Sequence, residues 1–434
     1  MQLKYGLEDR PPFKEIIIYG MQWFAVTVPA VIILGKILGG MQGGPESGML
    51  YMQKLLALMS LSLLVQIWRG HRLPLVIGPA TVLLIGILAS QDSPPAAVYS
   101  TILICGVVLT LLGVSGFFTK IRNLFTPRVV AVILLLVAFT MMPAIVSMIS
   151  GSSGRCSSVH NLSFAFVFIL IMFGAQRVLE GLWNSTLILW GMVIGSLVYF
   201  LINPDWIEIA GTAQFELTGH FFHNLTGSVV FDPGLIIAFL LCFVGLAIND
   251  LGSIQAVGSV LQAEDMPARI TRGVSFTGVS NIIAGFLGVI GPLNYSFSPG
   301  VIAATGCAAR ITLVPAGIIM LVLSFMPGAL VCLSFIPSVV IGAILLYIMC
   351  SQVAAGLITA VSDMEEPDFD YLLIIAFPVL AGVTIAFLPD EVTSTFPSGL
   401  KPILANGFVV GVLVSLLFEH LIFRNSKKKD RIES

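Results

Sequence analysis

Long apolar runs, separated by short polar connections, leave few folds open to this chain. Most of the runs are close to the roughly 20 residues that an α-helix needs to cross a bilayer. Hydrophobic residues make up 57% of the 434 residues and charged residues only 10%, against about 25% charged in soluble proteins. The runs lack the alternating ten-residue pattern of a transmembrane barrel. We therefore predict an all-α polytopic membrane protein.

Fourteen segments fit this description. Their predicted bounds are 16–36, 49–68, 74–90, 97–118, 128–149, 163–175, 185–203, 234–256, 273–291, 293–309, 311–330, 334–354, 371–388 and 403–423. With this count, seventeen of the 21 basic residues lie on the side of the two termini, whereas Lys36, Arg155 and Lys401 lie on the other side. Because cytoplasmic connections are enriched in Lys and Arg, we predict a multi-pass protein of the cytoplasmic membrane with both termini in the cytoplasm.

Several classes of function find no support in the residues. A net charge of −2 gives no reason to expect a nucleic-acid partner, and the cysteines form no CxxC pair. His220 and His223 lie three apart in the external segment 204–233 without an evident third ligand, so we expect no metal and no cofactor. One intramembrane carboxylate and scattered histidines offer no catalytic pair, so we do not expect an enzyme.

The third and tenth segments are short and contain Gly and Pro where a helix would have to break. The third reads LPLVIGPATVLLIG, and the tenth reads GPLNYSFSPGVIAATG. Each is the third segment of its half, which predicts two seven-span repeats of inverted topology with broken spans 3 and 10. The alternative is that Pro and Gly are simply common in membrane helices.

Two half-helices would direct their N-terminal dipoles at one site near the middle of the membrane. We therefore predict that substrate binds between residues 76–82 and 294–300, flanked by residues 249–253. An extended backbone is tolerated at this depth only where protein or a water-filled cavity surrounds it.

Asp250 is the acidic residue that lies deepest in a predicted span. A carboxylate at the bilayer centre costs at least ~2.5–3.5 kcal/mol on insertion scales, so it is a functional candidate by default. It could carry a proton, bind a cation or contact substrate. The alternative is a structural Asp that hydrogen-bonds a broken helix. Lys54, the other intramembrane charge, is interpreted as structural, with its stem reaching the interface.

Four stretches carry a resemblance to known proteins. They are RPPF followed by YGMQWFAVTVPA, then LPLVIGPA, then INDLGS, and finally TRGVSFTGVSNIIAGFLG with PLNYSFSPGVIAATGCAAR. They resemble the nucleobase–ascorbate transporters, also called xanthine/uracil permeases, over most of the chain. The last stretch is closer to the purine-transporting branch.

This resemblance implies fourteen spans in two inverted repeats, divided between a core and a gate domain. The implied divisions are 1–127 (core, spans 1–4), 128–203 (gate, spans 5–7), 204–233 (external loop), 234–330 (core, spans 8–11), 331–423 (gate, spans 12–14) and 424–434 (cytoplasmic basic tail). We also expect a homodimer formed through the gate domains.

The ionisable residues of the family site are replaced in this chain. The substrate-binding Glu of span eight aligns with Asn249, and the proton-linked His or Asp four residues later aligns with Ser253. The position that grips the base in span ten aligns with Phe297. By this alignment and the broken spans, the substrate-binding residues are expected to be Asn249, Ser253, Phe297, Ser298, Gly78, Ala80, Thr81 and Gly300. The span-nine family position aligns with Thr277.

Asp250 lies one position after the expected Glu, and we predict that it couples transport to protons. A one-residue shift of the alignment would make Asp250 the family acid, although the shared Gly252 argues against that shift.

The function implied is that of a secondary active transporter, a symporter, for a nucleobase such as xanthine, urate or uracil. The Asn249 amide can both donate to and accept from the edge of a base, and Phe297 can stack on its ring or merely pack against a helix. Two alternatives stay open. One is an anion transporter of the sulfate or bicarbonate type with the same architecture, because the loss of acidic residues suits an anion. The other is an uncoupled facilitator.

Overall fold

The computed structural model describes residues 3–41, 45–116, 126–151, 157–204, 221, 225–295, 298–326, 328–330, 335–361, 369–397 and 400–423. In the first half, the elements are α1 (Phe13–Gly40), α2 (Pro45–Trp68), β1 (Ile77–Pro79), α3 (Thr81–Leu88), α4 (Pro95–Val114), α5 (Pro127–Thr140), α6 (Met142–Ser150), α7 (Ser158–Val178), α8 (Gly181–Ser185) and α9 (Leu187–Ile202). The second half contains α10 (Pro233–Leu261), α11 (Met266–Leu287), β2 (Pro292–Asn294), α12 (Ser298–Thr305), a 3₁₀ turn (Arg310–Leu313), α13 (Val314–Ser324), α14 (Ser338–Val361), α15 (Phe369–Ala386), α16 (Asp390–Thr393), α17 (Lys401–Leu404), α18 (Gly407–Leu417) and a π-helical turn (Phe418–Ile422).

The helical membrane fold predicted from the sequence is confirmed. Among the described residues, seven helices are long and apolar enough to cross a bilayer, and several shorter apolar helices accompany them. Each of the fourteen predicted segments contains a helix or a strand followed by a helix. The count of fourteen membrane crossings stays a prediction.

Local sequence explains where several helices begin. Side-chain oxygens of Thr126, Ser157, Asp232 and Asn406 accept hydrogen bonds from backbone N–H groups in the first turns of α5, α7, α10 and α18. These contacts satisfy N–H groups that have no partner within the helix. Proline occupies the first or second position of α4, α5 and α10, where its missing N–H costs nothing.

One set of helices packs around the broken spans. It comprises α1 to α4 from the first half and α10 to α13 from the second half. Its tightest contact joins α4 to α11, where a Cβ on Gly106 would lie 2.7 Å from Ile282 N and a Cβ on Gly278 would lie 2.6 Å from Thr110 N. Small residues thus let two backbones approach closely, the usual basis of helix association in lipid.

A second set of helices packs together beside the first. It comprises α5, α6, α7, α14, α15 and α18. Here α15 touches α18, and a Cβ on Gly382 would lie 2.6 Å from Gly407 O. The division into core and gate domains at the boundaries given above stays a prediction.

Lys54 contacts the end of a neighbouring helix through its side chain. Its side chain in α2 is 2% exposed, and its Nζ donates to Leu287 O at 3.0 Å. Leu287 is the last residue of α11, so the ammonium group lies at the negative end of that helix dipole. This contact supports the interpretation of Lys54 as a structural residue.

The segment before α1 is part of the fold. Lys4 N donates to Gly306 O at 2.8 Å, and Ala308 N donates to Tyr5 O at 2.9 Å. Glu8 forms an ion pair with Arg310, with 2.5 Å between Oε2 and Nη2. These contacts hold the N-terminal segment along the connection that follows α12.

Candidate functional site

The two broken spans cross each other through a short antiparallel pairing. In the register of β1 and β2, Ile77 is opposite Asn294, Gly78 opposite Leu293 and Pro79 opposite Pro292. Two further hydrogen bonds extend it, from Ala80 N to Gly291 O at 2.9 Å and from Tyr295 N to Val76 O at 2.8 Å. Backbone groups that a broken helix leaves open are therefore satisfied by the other broken span, as burial at membrane depth requires.

A half-helix follows each strand. The eight-residue helix α3 begins at Thr81, directly after β1, and the eight-residue helix α12 begins at Ser298, shortly after β2. Because the first N–H groups of a helix have no partner within it, both starts offer donors near the crossing. This is the arrangement that the paired Gly and Pro residues predicted.

The Tyr295 side chain packs against the crossing of the two strands. Its ring lies against Gly78, where a Cβ would be 2.7 Å from the Tyr295 Oη and would overlap the ring. The Tyr295 hydroxyl donates to Pro79 O at 2.7 Å. Gly78 is therefore required for the close approach of the Tyr295 ring to β1.

Asp250 is fully buried in α10 and faces β2. Its Oδ1 accepts from the backbone N of Asn294 at 2.8 Å and from the side-chain Nδ2 of Asn294 at 2.7 Å. Its Oδ2 accepts from the Thr277 hydroxyl at 2.9 Å. All three contacts are donated to the carboxylate, so in this conformation it acts as an acceptor that holds β2 and α11 against α10.

The neighbouring face of α10 is more open. Asn249 is half-buried and Gly252 is exposed, and a Cβ on Gly252 would meet nothing within 4 Å. Ser253 is buried, with its hydroxyl 2.8 Å from Asn294 O and 2.9 Å from Asn249 O. Of the residues predicted on α10, Asn249 is thus the one that is only half-buried, whereas Asp250 and Ser253 are buried.

The structure places the other predicted binding residues in different settings. Ala80 and Ser298 are buried, and the Ser298 hydroxyl accepts from Val76 N at 2.9 Å. Thr81 is half-buried at the start of α3. Gly300 lies in the first turn of α12. Phe297 lies outside the described residues, as do His220 and His223.

Three residues of the site were not singled out from the sequence: Gln66, His71 and Asn294. All three are buried. His71 lies in the connection between α2 and β1, and burial lowers its pKa to about 3, so the ring is neutral. A polar residue in an apolar run, such as Gln66, and an Asn within a broken span were the available signals. His71 lies between Arg69 and Arg72 and is one of the scattered histidines of the sequence.

Within the described residues, no group of three or more His, Cys, Asp and Glu side chains lies close enough together to hold a metal ion. A family model described as the Permease family matches residues 14–391. The chain belongs to this permease family. The resemblance to xanthine/uracil permeases is thereby confirmed, and the expectation of a transport protein rather than an enzyme is confirmed with it.

Several relatives of this permease match it over nearly its whole length. The nucleobase transporter PlUacP of Paenibacillus larvae is 24% identical over 426 residues, which cover 96% of each chain. The xanthine permease of Bacillus subtilis is 22% identical over 433 residues, 98% of this chain and 97% of that one. Among solved structures, the transmembrane domain of the cyanobacterial bicarbonate transporter BicA has a TM-score of 0.58 at 12% identity, covering 95% of this chain and 99% of that domain. That likeness concerns the fold.

Proposed function

We propose that this permease moves a nucleobase such as xanthine, urate or uracil across the cytoplasmic membrane. The observation that carries the proposal is the crossing of β1 and β2, which places the starts of two half-helices at the two ends of one short strand pairing in a member of a permease family. The names of the relatives support the choice of a nucleobase. The protein is a multi-pass membrane protein.

In this proposal Asn249 reads the edge of the base. Its half-buried side chain lies on the face of α10 that carries the open position Gly252, and a primary amide can pair with both the donors and the acceptors of a base. Thr81 and Gly300 contribute from the half-helices, and Phe297 stacks on the ring, as its alignment with the family position implies. Gly78, Ala80, Ser253 and Ser298 shape the site from its buried side.

Proton coupling through Asp250 is a further part of the proposal. The carboxylate accepts three hydrogen bonds and is fully buried, so one of its about four lone-pair sites, on Oδ2, remains for a proton. A proton-coupled cycle requires this site to reach water at some point, because a fully buried carboxylate has no water with which to exchange a proton. An uncoupled facilitator has no such requirement.

Uptake into proteoliposomes tests the substrate. Purified protein should accumulate or equilibrate at least one of radiolabelled xanthine, urate and uracil in a saturable manner, and an excess of the same unlabelled base should compete. Sulfate is the parallel substrate, and liposomes without protein are the control. Saturable sulfate transport with no transport of any base would favour the anion alternative and overturn the proposal.

A labelling experiment tests the topology and needs no substrate. In a variant without native cysteines, we expect Thr212→Cys to react with an impermeant maleimide in intact cells and Ser434→Cys to react only after permeabilisation. The reason is the excess of basic residues on the side of the termini. Labelling of position 434 in intact cells would show the opposite orientation. The homodimer through the gate helices stays a prediction.

A further inference from the structure

Five buried residues next to the crossing of the broken spans form a closed ring of hydrogen bonds, which passes through their side chains and the backbone N of His71. Its members are Gln66, His71, Asp250, Thr277 and Asn294, and each is at most 3% exposed. One arm runs from the His71 ring through Asn294 to Oδ1 of Asp250. The other runs from the His71 backbone N through Gln66 and Thr277 to Oδ2 of Asp250. We call this set the Asp250 ring.

In the first arm, the backbone of the connection after α2 determines which atom donates each hydrogen bond. Leu73 N lies 3.0 Å from His71 Nδ1, and since a backbone amide can only donate, Nδ1 carries no hydrogen. The neutral imidazole therefore carries its hydrogen on Nε2, 3.1 Å from Oδ1 of Asn294. That contact turns the Nδ2 group of Asn294 toward Asp250, which it reaches at 2.7 Å.

The second arm is determined in the same way. His71 N donates to Oε1 of Gln66 at 3.3 Å, so the amide nitrogen of Gln66 is the atom that faces Thr277, at 3.1 Å from Oγ1. The Thr277 hydroxyl accepts this hydrogen bond, and its own hydrogen points to Asp250. Both arms therefore end in a hydrogen bond that is donated to the Asp250 carboxylate.

Asn294 is the residue through which this ring acts on the site. All four of its polar groups are held: N and Nδ2 by Asp250, the carbonyl O by Ser253, and Oδ1 by His71. Asn294 ends β2 and directly precedes Tyr295, which covers Gly78. The angle at which the chain leaves β2 for α12 depends on these contacts.

We propose that His71 is a positioning residue of the substrate site, which acts through Asn294 on β2 and hence on the start of α12. It does not touch substrate, because its ring is fully buried between Leu73 N and Asn294. Its main chain is anchored separately, since Arg269 Nη1 donates to His71 O at 3.0 Å. The inference rests on the proposed function, because its readout is the affinity for a base.

Two amide substitutions separate the two hydrogen bonds that the His71 imidazole forms. His71→Gln places an amide nitrogen near the position of Nε2, so it keeps the donor to Asn294 and gives up the acceptor for Leu73 N. His71→Asn places an oxygen near the position of Nδ1, so it keeps the acceptor and gives up the donor. We expect His71→Asn to raise the apparent KM for xanthine about tenfold, because Oδ1 of Asn294 is left buried without its donor. His71→Gln should stay within about threefold of wild type.

The measurements are initial rates of xanthine uptake in proteoliposomes, with urate and uracil as further probes if wild type does not accept xanthine, together with the melting temperature of each purified variant. Wild-type protein that transports none of the three bases contradicts the proposed function. If wild type transports but both variants keep its KM, or if His71→Gln is the more impaired, His71 does not act through Asn294. Should His71→Asn fail to fold, Asn294→Ser, which removes the acceptor of His71 together with the donor to Asp250, must show the raised KM or the inference fails.

Discussion

Alanine at position 78 is expected to reduce nucleobase uptake at least about tenfold while the protein still reaches the membrane. Its methyl group would lie 2.7 Å from the Tyr295 Oη and overlap the ring. The ring would have to move, and the hydrogen bond from the Tyr295 hydroxyl to Pro79 O would be lost. Overpacking of this kind costs about 1–3 kcal/mol, and here the displaced atoms join the two broken spans. The measurement is the initial uptake rate per amount of protein in the membrane.

Gly174→Ala is the matched control for this change. Gly174 lies in α7, and a Cβ there would meet nothing within 4 Å, so uptake should equal that of wild type. Normal uptake by Gly78→Ala would mean that substrate passes away from the crossing. A bulky residue in place of Gly300 is also predicted to reduce uptake, because of the Gly and Pro residues of the tenth segment.

Asp250→Asn is expected to remove most transport activity. An amide in place of the carboxylate keeps one acceptor for Asn294 but turns an NH2 group toward Thr277, whose hydroxyl must then give up its donated hydrogen bond and accept instead. Hydrogen bonds to a charged group contribute about 1.5–3 kcal/mol each, which corresponds to a loss of roughly tenfold or more. The measurements are uptake at fixed pH and binding of the base to purified protein.

The pH dependence of the residual activity then distinguishes two roles. If Asp250 carries the coupling proton, wild-type uptake rises as the external pH falls, and uptake by Asp250→Asn is flat. If Asp250 only holds β2, the two curves have the same shape and differ in height. Asp92→Asn is the control: this exposed carboxylate pairs with Lys401 at 2.6 Å, and exposed pairs contribute little. Full activity of Asp250→Asn would contradict both roles.

The architecture could be predicted from the sequence to a large extent because it depends on local composition. Apolar runs long enough to span lipid had to become helices, and Gly and Pro at matching places of each half marked α3 and α12. What composition could not provide was the pairing of β1 with β2. That pairing joins residues far apart in the chain, and the three residues of each strand show no alternating pattern of their own.

The site was harder to predict because its residues are defined by the contacts that their side chains form with other elements of the fold. Asp250 could be singled out as a charge at membrane depth, and the structural alternative anticipated a contact with a broken span. Its actual partners, Thr277 and Asn294, come from α11 and β2. His71 could not be found, since a histidine beside arginines at a span end resembles any polar loop residue. For Lys54, no sequence pattern indicates that the end of α11 lies within reach.

The pairing of β1 with β2 also sets the moment at which the site can form during synthesis. Ile77 leaves the ribosome long before its partner Asn294, and at ordinary elongation rates the interval is roughly ten to forty seconds. Until then the N–H of Ala80 lacks Gly291 O, and the carbonyl of Val76 lacks Tyr295 N. Because open backbone groups cost several kcal/mol each in hydrocarbon, the nascent third segment must wait in a polar or protein-lined environment. Its settled position in the membrane is therefore a late event, reached only when the second half of the chain has been made.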